Sequence, residues 1–336
     1  MSAATLAVVL CTVWTLAGLV GHDPWKPDEA YSFGLVYHML RSGDWVVPML
    51  AGEPFLEKPP LFYLTAALFA KALSPVLSLP DAARLATGFF IGATLGLVAL
   101  CARELLGRDR GALAALALIG CLGLPVRAHQ LITDVSLLAS FALALYGLAL
   151  CLRRPWLGGA LLGTGAGVGF MSKGLLAPSE LCIVAIVLPL LAGPWRTRRY
   201  LATLAAALVA VTPWVALWPW LLYRRAPDLF HGGCGTEPRP LPRSQRFQDR
   251  AQGRMFYLTI LPWYAWPFCR LHSGRCGGRG FGGVCCTRPC CPDDGVPGHA
   301  GRAERSHTSA KCHAMPMLLP CRWSLPRNWT ASVWVV

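Results

Sequence analysis

Seven apolar runs, at 61–80, 85–102, 111–126, 135–152, 156–171, 181–195 and 200–223, follow one another with only short polar breaks. Ahead of them, Ala3 to Gly21 carries no charge. Several of these runs approach the ~20 residues a helix needs to cross a bilayer. A helix on the surface of a soluble protein needs a polar face, and these runs have almost none. Only 14% of the chain is charged, against about a quarter in ordinary soluble domains. The pattern argues against a soluble bundle and predicts an all-α polytopic membrane protein. Ala3–Gly21 lacks a basic leader, and Leu19-Val20-Gly21-His22 is a poor cleavage site. It is read as a retained first helix rather than a signal peptide.

Basic residues mark cytoplasmic loops. Three clusters stand between the runs: Arg103/Arg108/Arg110, Arg153/Arg154 and Arg196/Arg198/Arg199. With all three on one side, 85–102 enters, 111–126 returns, and the next four runs alternate. The ends opposite the arginines then carry Asp134, Lys173 and the Pro227-Asp228 region. If Ala3–Gly21 crosses outward, Asp28 and Glu29 join them. The count closes only if 61–80 does not cross, and Lys71 with prolines at 59, 60, 75 and 80 fits a run that lies on the membrane. Residues 22–83 become one long outer loop with surface helices. Arg224, Arg225 and Arg127 go against the charge rule, and Arg127 is expected to snorkel or to line a site.

Within that loop, Phe33, Val36, Tyr37 and Leu40 recur as on one helix face. Trp25, Tyr31 and Trp45 suit a membrane interface. Pro59-Pro60 breaks the chain, and a second surface helix starts at Leu61. A carboxylate at the mouth of a membrane cavity can act as general base for an incoming hydroxyl, and a nearby lysine can neutralise a phosphate. Asp28 with Lys58 makes such a pair, and Glu57 could bind a metal or orient the lysine. Equally, Asp28 and Glu29 could simply favour a helix start, Asp134 after Thr133 could be a plain cap, and Lys173 could snorkel.

The strings DEAY at 28–31, HML-x-SGDW-x-x-P at 38–48 and EKPPLFY at 57–63 resemble the first outer loop of the GT-C membrane glycosyltransferases. The similar groups are the protein O-mannosyltransferase-like enzymes and the aminoarabinose transferases of lipid A. The resemblance continues in ARL at 83–85, in Asp134 and in MSKGLLA at 171–177, and fades after Phe230. It implies a GT-C helical bundle that moves a sugar from a polyprenyl-phosphate donor to a lipid or protein acceptor, with inversion. The implied setting is the bacterial inner membrane, with the active site on the periplasmic side and membrane lipids as surroundings. It implies catalysis by Asp28 with Glu29 beside it, donor phosphate on Lys58 and Lys173, and a divalent metal of unspecified identity on Glu57 and Asp134. Nucleic acid is not an implied partner. A transporter of lipid-linked sugars is a rival, but transporters place polar groups near mid-membrane and show internal repeats. Here the acids stand at helix ends and no repeat is found.

Residues 1–230 thus read as the transmembrane catalytic module. Next come an irregular loop at 231–254, a partial transmembrane segment at 255–267, and a tail at 268–336 rich in Cys, Gly, Arg and Pro. From His231 onward there are 14 Lys and Arg against 5 Asp and Glu, and 9 of the 14 cysteines. A zinc module, a disulfide-rich tail and a disturbed reading frame of a G+C-rich gene compete to explain this. The islands at 255–267 and AMPMLLP at 314–320 read as ordinary family sequence, which fits the disturbed frame best. A non-catalytic remnant of such an enzyme is the corresponding alternative for function.

Overall fold

The structure is a computed structural model and describes residues 3–234. The tail at 268–336, the segment at 255–267 and nearly all of the loop at 231–254 lie outside the described residues. The helices are α1 (Ala3–Leu16), α2 (Lys26–Ser42), α3 (Leu61–Leu73), α4 (Leu79–Leu106), α5 (Arg110–Ile119), α6 (Leu124–Ala128) and α7 (Asp134–Leu150). They continue with α8 (Pro155–Lys173), α9 (Leu176–Leu191), α10 (Arg198–Arg225) and α11 (Pro227–Cys234). The first long connection carries a two-stranded antiparallel hairpin, β1 (Met49–Leu50) and β2 (Glu53–Pro54). Its turn, Ala51-Gly52, takes φ of 52° and 86°, the pair of positive values that a tight hairpin requires. This hairpin is absent from the sequence reading, because Ala-Gly is a weak turn signal.

The two surface helices of the outer loop are present as α2 and α3, the second starting at Leu61 as expected. Two crossings come out differently. The first helix stops at Leu16, and Gly18 and Gly21 follow with positive φ. The run 111–126 breaks at Gly120 into α5 and α6; ten residues reach only about 15 Å, half of the ~30 Å hydrocarbon core. Among the described residues two helices, α4 and α10, are long and apolar enough to cross by length and composition, and five shorter apolar helices accompany them. On α10 only 11% of the apolar window is buried. Leu201, Leu208, Val209 and Leu217 face outward, as an integral membrane protein presents them to lipid.

The contacts sort the two ends of the bundle. Glu104 near the end of α4 pairs with Arg153 after α7 at 2.8 Å, and Trp195 before α10 donates to the Leu148 carbonyl of α7 at 2.9 Å. The arginine clusters therefore lie together at one end. At the other end Gly21 donates to Asp81 at the start of α4, and Arg225 at the end of α10 reaches Asp44. This is the alternation that charge counting gives.

Helices α7, α8 and α10 pack through glycines. A Cβ on Gly163 of α8 would sit 2.2 Å from the Ala207 carbonyl oxygen of α10, and one on Gly165 would sit 2.7 Å from the Ala144 nitrogen of α7. Small residues allow such backbone approach within a membrane. Gly163→Ala is expected to destabilise by about 1–3 kcal/mol, the usual range for overpacking. Gly92→Ala on α4, where a Cβ would meet nothing within 4 Å, is the control. Thermal unfolding in detergent should separate the two; equal midpoints would remove the close α8–α10 contact from the account.

Candidate functional site

Pro27 in the first turn of α2 presets the helix, and Asp28 and Glu29 follow where negative charge suits the helix start. Successive residues on a helix point about 100° apart, so the two carboxylates separate. Asp28 faces outward, 41% exposed, with its Oδ2 3.8 Å from Arg127 Nη1. Glu29 turns inward and is 1% exposed.

Both oxygens of Glu29 are occupied. Oε1 accepts from Arg84 Nε at 2.6 Å and from the Leu131 N–H at 3.2 Å; Oε2 accepts from the Trp25 N–H at 2.8 Å. Arg84, also 1% exposed, extends Nη1 to Asp81 at 2.8 Å. Asp81 in turn accepts from the Gly21 N–H at 3.0 Å and from the Ser78 hydroxyl at 2.8 Å. One buried carboxylate and one buried guanidinium thus fix α2, the start of α4, the chain after α1 and the lead into α7. His129 adds a tie: its two ring nitrogens lie 2.8 Å from the Pro125 carbonyl and 2.9 Å from the Trp14 carbonyl.

On the outward face Tyr31 lies one turn beyond Asp28. Lys58 Nζ donates to the Tyr31 hydroxyl at 2.6 Å and sits 5.1 Å from its ring centroid. Burial works against the lysine charge, but Tyr31, then Glu57 and Asp134, outweigh it and raise its pKa above the ordinary lysine value. The Tyr63 hydroxyl, buried near Tyr31 and Ser32, makes no well-formed hydrogen bond. Glu57 is exposed.

Helices α7 and α8 are joined by a short turn, so the start of one lies beside the end of the other. Lys173 in the last turn of α8 pairs with Asp134 in the first turn of α7, both about a third exposed. Helix α8 also packs against α3, and Asp134 is among the charges that raise the Lys58 pKa. The α2–α3 loop is held from its far side as well. Trp218 of α10 donates to the Val46 carbonyl at 3.1 Å, and Arg225 lies 3.4 Å from Asp44. Although burial alone would raise it, the Val46 and Val47 N–H groups and Arg225 keep the Asp44 carboxyl below the usual value.

Lys58, Glu57, Asp134 and Lys173 therefore share one end of the bundle with Asp28, while Glu29 is withdrawn into the core. Arg127 lines the site through Asp28. Sequence reasoning missed Arg84 and the role of Tyr31. An arginine six residues into an apolar helix was a usable signal, since intramembrane charges need a partner. Among the described residues no group of three or more His, Cys, Asp or Glu could hold a metal ion. Lys173 already occupies Asp134, and Lys58 sits within the field of Glu57 and Asp134. Asp134 thus has its charge met by Lys173, which competes with a divalent cation there.

Residues 57–223 match the family model of dolichyl-phosphate-mannose-protein mannosyltransferase. The undecaprenyl phosphate-alpha-4-amino-4-deoxy-L-arabinose arabinosyl transferase 1 of Sodalis glossinidius is 32% identical over 292 residues, covering 80% of this chain and 48% of that protein. The corresponding transferase of Pectobacterium atrosepticum is 29% identical over 285 residues, covering 80% and 50%. The crystal structure of ArnT from Cupriavidus metallidurans bound to undecaprenyl phosphate has a TM-score of 0.62 at 20% identity, covering 80% of this chain and 50% of that one. The chain spans about half the length of the curated relatives it matches. A share of 80% of this chain exceeds residues 1–230, so the sequence likeness runs past Phe230, where the sequence reading has it fade.

Proposed function

The chain being a relative of the GT-C membrane glycosyltransferases, similar to the aminoarabinose transferases of lipid A, we propose that it transfers a sugar from a polyprenyl phosphate to a lipid A-like acceptor at the periplasmic face of the bacterial inner membrane. The observation that carries the reading is the grouping of Asp28, Lys58, Asp134 and Lys173 at one end of the bundle, drawn from three separate stretches of chain.

The Asp28 carboxylate takes the proton of the acceptor O–H. The acceptor oxygen attacks the anomeric carbon as the bond from that carbon to the phosphate oxygen breaks. The lipid phosphate departs with its charge facing Lys58 and Lys173, and the anomeric configuration inverts. Lys58, held by Tyr31, is fixed in place rather than mobile on its stem. Asp134 holds Lys173 until the phosphate arrives. The lysines take the part that a divalent metal on Glu57 and Asp134 would otherwise play.

The test is transfer of labelled 4-amino-4-deoxy-L-arabinose from undecaprenyl phosphate to lipid A by the purified chain in liposomes, with and without EDTA. Labelled lipid product that forms equally in EDTA is expected. Absence of product from folded protein would reduce the chain to a non-catalytic remnant, and strict dependence on added metal would restore Glu57 and Asp134 as ligands.

A further inference from the structure

A cavity of about 800 Å³ opens between α1, α4 and α5, away from the site described above. On α4 its wall carries Gly88, Gly92 and Gly96. These glycines differ from those of α8. A Cβ on Gly92 or Gly96 would meet nothing within 4 Å, whereas one on Gly163 would strike backbone. Gly88 seats the Leu19 side chain, 2.7 Å from where a Cβ would lie, but at Gly92 and Gly96 the missing side chains leave room.

From Gly88 to Arg103 the groove follows fifteen residue steps of α4, about 22 Å at 1.5 Å per residue. That exceeds one leaflet's share of the ~30 Å hydrocarbon core. Its lining is largely apolar, which suits hydrocarbon better than water. At one end the lining becomes basic, with Arg103 and Arg108 around Asp109. Neither arginine forms an ion pair among the described residues, while their neighbour Glu104 is taken by Arg153. Gly111 at the start of α5 seats the Arg103 stem: a Cβ there would lie 2.6 Å from the Arg103 Cγ and 2.8 Å from the Ala99 carbonyl oxygen.

We propose that this groove binds one acyl chain of an anionic phospholipid, with its phosphate on Arg103 and Arg108. Guanidinium groups suit phosphate because their fixed fork can donate to two oxygens at once. A basic mouth above an apolar trough matches charged headgroup to charge and hydrocarbon to hydrocarbon. The site is distinct from the candidate donor site, since the arginine end lies at the opposite end of the bundle from Asp28. It does not depend on the proposed transfer.

The test uses the full chain in nanodiscs of mixed phosphatidylglycerol and phosphatidylethanolamine, with bound lipid quantified by mass spectrometry after purification. Wild type is expected to retain phosphatidylglycerol preferentially. R103Q/R108Q should bind it about 30-fold more weakly, from about 1 kcal/mol per basic residue next to anionic lipid at 1.4 kcal/mol per tenfold. G92L/G96L should expel it by filling the open space, with the unfolding midpoint unchanged. Equal retention of the two lipids by wild type would overturn the proposal. So would unchanged phosphatidylglycerol retention in G92L/G96L. A photoreactive residue at position 96 that captures the chain's own 255–267 stretch instead of lipid would also overturn it.

Discussion

Arg84→Ala is expected to lower the stability of the helical module by about 3–5 kcal/mol, the range for removing one partner of a buried ion pair. Both partners here are 1% exposed. The loss falls on Glu29, which would stay buried with its Arg84 contact gone while still tied to the Trp25 and Leu131 N–H groups. Asp81 would lose its partner as well, and with it part of the hold on Gly21. A domain has only about 5–15 kcal/mol in total, so most of the variant should fail to accumulate folded. Arg84→Lys keeps the charge but cannot reach Glu29 and Asp81 with one planar fork, and should fall between the two. Replacing both members, as in E29Q/R84M, should be milder than R84A alone, because no unpaired charge remains. An R84A midpoint equal to wild type in detergent would end the assignment of Arg84 as the keystone.

Asp28→Asn is expected to reduce sugar transfer by about 10²–10⁴, the range for loss of a general base, with little change in stability. Asp28 is 41% exposed and its contact with Arg127 is 3.8 Å; exposed pairs contribute about 0–1 kcal/mol. The adjacent Glu29→Gln should behave in the opposite sense, with a lowered unfolding midpoint that precedes any effect on transfer. Two neighbouring carboxylates would then separate cleanly into a chemical and a structural role. An active Asp28→Asn variant would remove Asp28 as the base. If Asp28→Asn instead lost its unfolding midpoint along with its activity, the division of roles between the two acids would be wrong.

Much of this arrangement is legible in the sequence because hydropathy and charge report on the membrane directly. The arginine clusters at 103–110, 153–154 and 196–199 group as counted, since a misplaced arginine is expensive in lipid. The start of α3 at Leu61 is read from Pro59-Pro60, which stop the preceding chain. What is not legible depends on tertiary contact. Whether Asp28 or Glu29 points inward depends on where Arg84 lies, 55 residues further along. The early end of α1 is followed by Gly18 and Gly21 at positive φ, with the Gly21 N–H held by the distant Asp81, and the break at Gly120 has no charge to announce it. Tyr31 reads as an interfacial aromatic, and only the folded loop brings Lys58 onto its hydroxyl.

Lys58 and Lys173 are proposed to receive the phosphate of a polyprenyl lipid. The most direct measurement is equilibrium binding of undecaprenyl phosphate to the purified chain, compared with the K58Q/K173Q variant. Each lysine neutralises charge at a partly desolvated phosphate, so removal of both should weaken binding ~30-fold, counting about 1 kcal/mol for each pair. That loss is expected with an unchanged unfolding midpoint. Equal affinity in wild type and variant would place the lipid phosphate elsewhere and contradict it.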